Sequence, residues 1–306
     1  MLYKGRFAPS PTGYLHFGSL IAAVASYLEA KSHHGQWLLR MEDLDTPREM
    51  PGAADAILFA LEAFGFEWDG AILYQSQRHE AYASALLQLQ EKRLVYPCTC
   101  TRKEIADSAV QGVEGLVYPG TCRNGLARPK PAQAWRLKVE NAVIEFDDAI
   151  QGQITQNLAQ DIGDFVLKRA DGLYAYQLAV VVDDAFQNIS HVVRGADLLA
   201  STPRQIYLQN KLGLATPHYA HIPVATNASG EKLSKQTLAA PLNSQNPVPE
   251  LWQALTFLGQ RPEITLQNAS LSNLWQYALT HWDANKIAKQ GKIFHPDFFI
   301  HNALKT

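Results

Sequence analysis

Residues 6–20 read RFAPSPTGYLHFGSL, and the fold is decided by how this stretch is taken. Pro9 and Pro11 each fix φ, while Gly13 and Gly18 let the backbone bend and allow a ligand to approach closely. The run SLIAAVASYLEAK at 19–31 reads as a helix that starts near Gly18. Such a start turns unsatisfied N–H groups toward the bend before it. The physical reading is an anion cradle. His16 stands where a positioned donor could serve phosphate oxygens or steady a phosphorus under attack; the simpler alternative is that it only caps the turn.

Outward from the cradle, LYKGRF at 2–7 reads as a short strand, and QWLLRMEDLD at 36–45 as a buried strand ending in charge. PGAADAILFALEAFGF at 51–66 has helical periodicity and stops at Gly65; ILYQSQR leads from a short strand into the helix HEAYASALLQLQEKR at 79–93. Strand and helix therefore alternate, which argues an α/β fold with a parallel, doubly wound sheet. Ligands of such sheets bind beyond the carboxyl ends of the strands, so Glu42 is expected to meet a substrate amine or hydroxyl. Asp43 and Asp45 are assigned to structure, with Asp45 or Thr46 capping the helix before Pro47.

At Cys98 the texture changes. YPCTC at 96–100 and LVYPGTC at 116–122 bring the chain's three cysteines together on turn-rich backbone. Adjacent CxC partners pair poorly with each other, and thiolates on two short knuckles suit zinc, which expects four ligands. No histidine lies between His79 and His191. Tyr118 is the nearest plausible oxygen donor, with Glu104, Asp107, Glu114 or a water as competitors. Further on, WRLKV, AVIEF, DFVLKR and YAYQLAVVV read as strands of a small mixed sheet, and Asp183-Asp184 as the surface end of the last one. ISHVVRGADL at 189–198 returns to strand-then-helix order and sets Arg194 at a strand's carboxyl end. STPRQIYLQNKLGL reads as a capped helix, and HYAHIPVAT as another strand. Residues 94–182 thus read as an insertion between two halves of one sheet. In ASGEKLSKQTLAAP, 228–241, Lys232 and Lys235 bracket a serine in a loop with little to bury, and mobile ammonium groups there can close over a triphosphate. From 247 onward the pattern is helical.

The bulk numbers exclude several classes. With 306 residues, 47% hydrophobic content and a formal charge of −2, the chain is globular rather than disordered. Its apolar runs fall short of a membrane span, no signal-peptide layout opens it, and the cytoplasm is the expected location. Net charge gives no basic footprint, so any nucleic-acid surface must be local.

PSPTGYLHFGS before a helix and KLSKQ after the returning half of the sheet resemble, in order and separation, the paired ATP-binding signatures of class I aminoacyl-tRNA synthetases. RFAPSPTG, LRMEDLDTPR, YQLAVVVDD and VVRGADLL are similar to the glutamyl/glutaminyl branch. The resemblance covers about residues 4–240. The chain stops about 65 residues beyond the lysine loop and carries the CTC…YPGTC cluster. In both respects it resembles truncated members of the branch that lack an anticodon-binding domain and transfer glutamate to queuosine in the anticodon of tRNA(Asp).

The resemblance implies a Rossmann-like catalytic domain split into 1–93 and 183–241. A zinc-containing α+β subdomain, which binds the acceptor, is inserted at 94–182, and a helical, stem-contact-like segment follows at 242–306. It implies that Arg6, Phe7, Ala8, Pro9, Ser10, Glu42, Tyr176 and Arg194 hold L-glutamate. Pro11, Thr12, Gly13, His16, Gly18, Ser19 and Lys235 would hold ATP with magnesium, and His16, Lys232 and Lys235 would be catalytic. Zinc would sit on Cys98, Cys100, Tyr118 and Cys122. A monomer acting on queuosine-containing tRNA(Asp) is expected; the alternatives are glutamylation of the 3′ end of tRNA(Glu), an inactive RNA-binding module, or another adenylate-forming ligase. Three positions depart from the general signatures: Ser19 stands where many class I enzymes have histidine, Leu233 for methionine, and Gln236 for serine.

Overall fold

The computed structural model describes residues 2–112, 115–126, 133–227, 229–232 and 240–295. Strands β1 (Lys4–Phe7), β2 (Gln36–Met41) and β3 (Leu73–Tyr74) form a parallel sheet, with helices α1 (Phe17–Ser32), α2 (Ala53–Ala63) and α3 (His79–Glu91) in the expected order. The alanines of α1 let it lie close behind the strands, where Leu20, Ala23, Val24, Ala25 and Leu28 are fully or almost fully buried. Gly35 permits the tight return into β2: a Cβ there would collide with the Tyr3 carbonyl oxygen. Trp37 is at the centre of this core, packed by Tyr27 and Phe66 and donating to Ser26 Oγ at 3.0 Å.

The middle of the chain contributes β4 (Val95–Cys98), α4 (Arg102–Ala106), β5 (Val110–Gly112), β6 (Gly115–Val117), β7 (Ala134–Leu137), β8 (Val143–Asp148), β9 (Gly152–Asn157), α5 (Leu158–Asp161) and β10 (Phe165–Lys168). β10, β7 and β4 form an antiparallel sheet, and β5 pairs with β6. Helix α6 (Tyr176–Phe186) follows, then β11 (His191–Gly195), α7 (Thr202–Leu212), β12 (His218–Ile222) and β13 (Val224–Thr226). β11 and β12 are parallel, and β8 joins β12 at Tyr219↔Asp148, carrying β9 with it. The two parallel groups meet where β11 lies beside β1: Ser190 N donates to Lys4 O at 3.0 Å, and Lys4 N to Ser190 Oγ at 2.8 Å. β1 therefore has β2 on one side and β11 on the other, so the strand order turns at this seam.

Four expectations are corrected. YAYQLAVVV is not a strand: Tyr176–Phe186 is helical and packs Leu178, Ala179, Val180 and Val181 inside, with α3 and α7 against it. Asp183 and Asp184 are accordingly not a surface end but are 0% and 5% exposed. The C-terminal stretch has helices α8 (Pro247–Phe257) and α9 (Leu271–His281), but DANKIAKQG holds only a three-residue 3-10 turn, Ala284–Lys286. A strand follows it, β14 (Lys292–Phe294), parallel to β13. Asp45 stands at the N-cap position of the 3-10 turn Thr46–Arg48, yet its side chain makes no cap bond. Among the described residues, no helix is long and apolar enough to cross a membrane.

Candidate active site

A cleft of about 570 Å³ opens at the carboxyl ends of β1, β2 and β11, beside the seam where open α/β sheets bind ligands. β1 delivers Arg6 to it and runs into Phe7, Ala8, Pro9 and Ser10; β2 ends one residue before Glu42; β11 delivers Arg194; and Tyr176 opens α6 on the facing wall. The turn is fixed from outside, because Glu42 N donates to Pro9 O at 2.9 Å and Met50 N to Pro11 O at 3.0 Å. Gly13 has φ +149°, a conformation that favours glycine. Pro11, Thr12 and Gly13 form the back of the turn and are not part of the cleft wall, whereas His16, Gly18 and Ser19 at the start of α1 are. His16 occupies the N-cap position, but its side chain makes no cap bond, so capping does not account for it.

Beneath the cleft is a cluster of buried charge. Asp184 accepts from Arg6 Nε at 3.2 Å and Nη2 at 3.3 Å, and from Arg40 Nη2 at 2.7 Å. Arg40, fully buried, also donates to Gln187 Oε1 at 2.7 Å. Asp183 accepts from Tyr82 at 2.7 Å, Gln75 at 2.9 Å and Arg78 at 3.0 Å. Burial alone would raise the Asp184 carboxyl, but Arg40 and Arg6 hold it below the usual range. Glu42 differs. Its Oε1 is buried without a hydrogen-bond partner among the described residues, the nearest cation being Arg40 at 3.7 Å. Burial pushes its carboxyl up to about 7, against the pull of Arg40 and Arg6.

At the rim, Lys232 is held by Asp197 at 2.5 Å, and Arg169 by Asp45 at 3.2 Å. Lys232 and His16 line the same cleft. Residues 233–239 lie outside the described residues, and with them Lys235, Leu233 and Gln236. The chain re-enters beside the cradle, with Pro241 bridged to His16 and Leu242 N donating to Leu15 O at 3.0 Å.

Away from the cleft, Cys98, Cys100 and Cys122 place their sulfurs within 4.8 Å of one another. Tyr118 Oη lies 3.4 Å from both Cys98 Sγ and Cys100 Sγ and accepts from Cys122 N at 2.9 Å. Three thiols and a phenol oxygen on turns can hold a metal ion. Glu104 is engaged instead in capping α4 through Thr101, and Glu114 lies outside the described residues.

Sequence reading missed Asp184 and Arg40 as organisers of the site. The available signal was a pair of acids directly after an aliphatic run, which burial permits only with cationic partners. It also gave Asp45 only a capping role and gave none to Arg48, Arg169 or Asp197, whose rim positions depend on distant loops meeting.

Residues 3–250 match the family described as tRNA synthetases class I (E and Q), catalytic domain, and the chain belongs to that family. Within it, the chain is 58% identical over 296 residues to the glutamyl-Q tRNA(Asp) synthetase of Dechloromonas aromatica (strain RCB), covering 96% of this chain and 98% of that one. It is 56% identical over 286 residues to the protein of the same name from Chromobacterium violaceum, covering 94% and 95%. Among solved structures, the glutamate-tRNA synthetase of Elizabethkingia anophelis superposes with a TM-score of 0.79 at 25% identity, over 100% of this chain and 71% of that one. A glutamate tRNA ligase from Elizabethkingia meningosepticum, in complex with its amino acid, gives 0.77 at 26%, over 97% and 68%.

Because Asp184 neutralises two buried arginines, Asp184→Ala is expected to destabilise the protein by about 3 to 5 kcal/mol in urea unfolding. A loss below about 1 kcal/mol would show that the cluster does not depend on this carboxylate.

Proposed function

We infer that the protein activates L-glutamate with ATP and transfers it to queuosine in tRNA(Asp). The observation that carries this reading is the shared cleft: a carboxylate with a buried oxygen that has no donor among the described residues, two arginines, the start of α1 and Lys232 around one space. Relatives 54–58% identical over nearly the whole chain bear the matching name.

Arg6 and Arg194 supply guanidinium groups for the carboxylates of glutamate, and Glu42 takes its ammonium. Phe7, Ala8, Pro9 and Ser10 with Tyr176 shape the amino-acid wall. His16, Gly18 and Ser19 face the phosphates of ATP, backed by the turn Pro11, Thr12 and Gly13. A carboxylate oxygen of glutamate attacks the α-phosphorus, the bond to pyrophosphate breaks, and Lys232 and Lys235 offset the charge that departs. Magnesium, when bound with ATP, neutralises phosphate charge. A queuosine hydroxyl then attacks the glutamyl carbonyl and AMP leaves. Positioning and electrostatics supply most of the rate. Residues 94–182 form the inserted subdomain that meets the acceptor and 242–306 the stem-contact-like segment, in a cytoplasmic enzyme. Zinc on Cys98, Cys100, Tyr118 and Cys122 braces the insertion.

Radiolabelled glutamate with ATP is expected to label queuosine-containing tRNA(Asp), and neither tRNA(Asp) lacking queuosine nor tRNA(Glu). Label on tRNA(Glu) alone would assign the other acceptor, and no glutamate-dependent pyrophosphate exchange would leave a binding module.

Glu42 must be ionised to receive an ammonium, and its carboxyl titrates near 7 before substrate arrives. The KM for glutamate should therefore fall as pH rises from 6 to 8 and then level, while the KM for ATP changes little. Glu42→Gln should abolish that dependence and raise the glutamate KM; an unchanged KM removes Glu42 from the site.

The purified protein is expected to carry one zinc per chain by elemental analysis, lost in Cys98→Ser and held more weakly in Tyr118→Phe. Equal zinc affinity in Tyr118→Phe and the parent would give the fourth position to another ligand.

A further inference from the structure

Arg194 does not reach the cleft as a free cation. Its Nε donates to His221 Nε2 at 3.0 Å and its Nη2 to Thr202 Oγ1 at 2.7 Å. Nη1 is left toward the cleft, 3.4 Å from Tyr176 Oη. His221 is completely buried on β12, and its Nδ1 lies 2.6 Å from Asp148 Oδ2. Asp148, 3% exposed, ends β8. Its other oxygen accepts three backbone N–H groups, from Ile150 at 3.1 Å, Gln151 at 2.9 Å and His221 at 3.0 Å.

These contacts fix the imidazole chemistry. A guanidinium Nε–H can only donate, so His221 Nε2 must offer its lone pair and the ring proton must sit on Nδ1, donating to Asp148. An imidazolium would aim N–H at N–H. Burial lowers the His221 pKa, Arg194 lowers it further, and both oppose the pull of Asp148. Asp148 in turn cannot rotate, because its second oxygen is tied to the backbone.

We propose that Asp148 and His221 are positioning residues for the amino-acid site: Asp148 selects the His221 tautomer, and His221 locks the Arg194 guanidinium so that its Nη1 edge faces the substrate carboxylate. The proposal rests on the glutamate reading of the cleft. It makes β8, from the stretch between the two parallel groups, a contributor to amino-acid selection.

Pyrophosphate exchange with separate KM values for glutamate and ATP tests it. In Asp148→Asn an amide N–H₂ can face Nδ1, the proton moves to Nε2, and Arg194 loses its acceptor. The glutamate KM is expected to rise about tenfold or more, the scale of a lost hydrogen bond to a charged group. The KM for ATP should stay within about twofold by the same reasoning. His221→Gln retains an acceptor that needs no tautomer, so its KM should stay near the parent's, and adding Asp148→Asn to it should change nothing further. Should Asp148→Asn fail to fold, His221→Phe against His221→Gln carries the comparison, with Phe impaired and Gln not.

Equal behaviour of Gln and Phe, a parallel rise in both KM values, or full additivity in the double variant would overturn the proposal. Arg194→Ala is the control for the underlying reading: if it leaves the glutamate KM unchanged, the assignment of the cleft fails, whatever the other variants do.

Discussion

The carboxylate of Asp184, buried between Arg6 and Arg40, is the constraint on which the site depends. It sits in the last turn of α6, the end where the helix dipole already carries negative charge, beside a second buried acid. That placement is unfavourable by itself. It is offset by arginines from other elements: Arg6 from β1, Arg40 from β2, and Arg78 just before α3 on Asp183. α6 is thereby docked onto the first parallel sheet by charge pairs that would be left uncompensated if it shifted. Since Tyr176 starts the same helix, the far wall of the cleft is held to the strands by the same carboxylates.

The same arithmetic explains Glu42. Arg40 divides its donors between Asp184 and Gln187, and Arg6 directs two to Asp184, so the third acid of the neighbourhood is left 3.7 Å from the nearest guanidinium. Burial of a carboxylate without donors is costly, which is why its carboxyl is displaced upward. A group that is poorly solvated by its own protein is one that a substrate ammonium can satisfy.

Much of this was legible in the sequence wherever a local rule sufficed. The proline and glycine bend, the alternation of strand and helix to residue 93, and the delivery of Glu42 and Arg194 at strand ends all follow from short-range pattern, and the structure agrees with them. The cysteine cluster was readable for the same reason, since its two knuckles are compact. Tyr176–Phe186 was misread because three consecutive valines favour a strand by propensity, whereas a helix buried on most sides accepts β-branched residues without penalty from solvent. Asp184 was then lost with it: its partners lie 178 and 144 residues away, and no spacing rule connects them. His221 and Asp148 escaped likewise, because β8 meets β12 only through a tertiary pairing.

Charge in and beneath the cleft comes in two tiers that differ in exposure. The inner tier, Arg6, Arg40 and Asp184, has side chains exposed by 7% or less. Desolvation makes each partner there dependent on the other, so the geometry is fixed before substrate arrives. The outer tier, Lys232 with Asp197 and Arg169 with Asp45, is far more open, with the cations about 40% exposed. Pairs of that kind contribute only about 0 to 1 kcal/mol. A phosphate group carries more charge and more acceptor oxygens than an aspartate, so it can displace Asp197 or Asp45 at little cost. An overall charge of −2 is therefore no obstacle to polyanionic substrates. The rim cations stay paired until a stronger anion comes, while the buried ones cannot be drawn out of place by it.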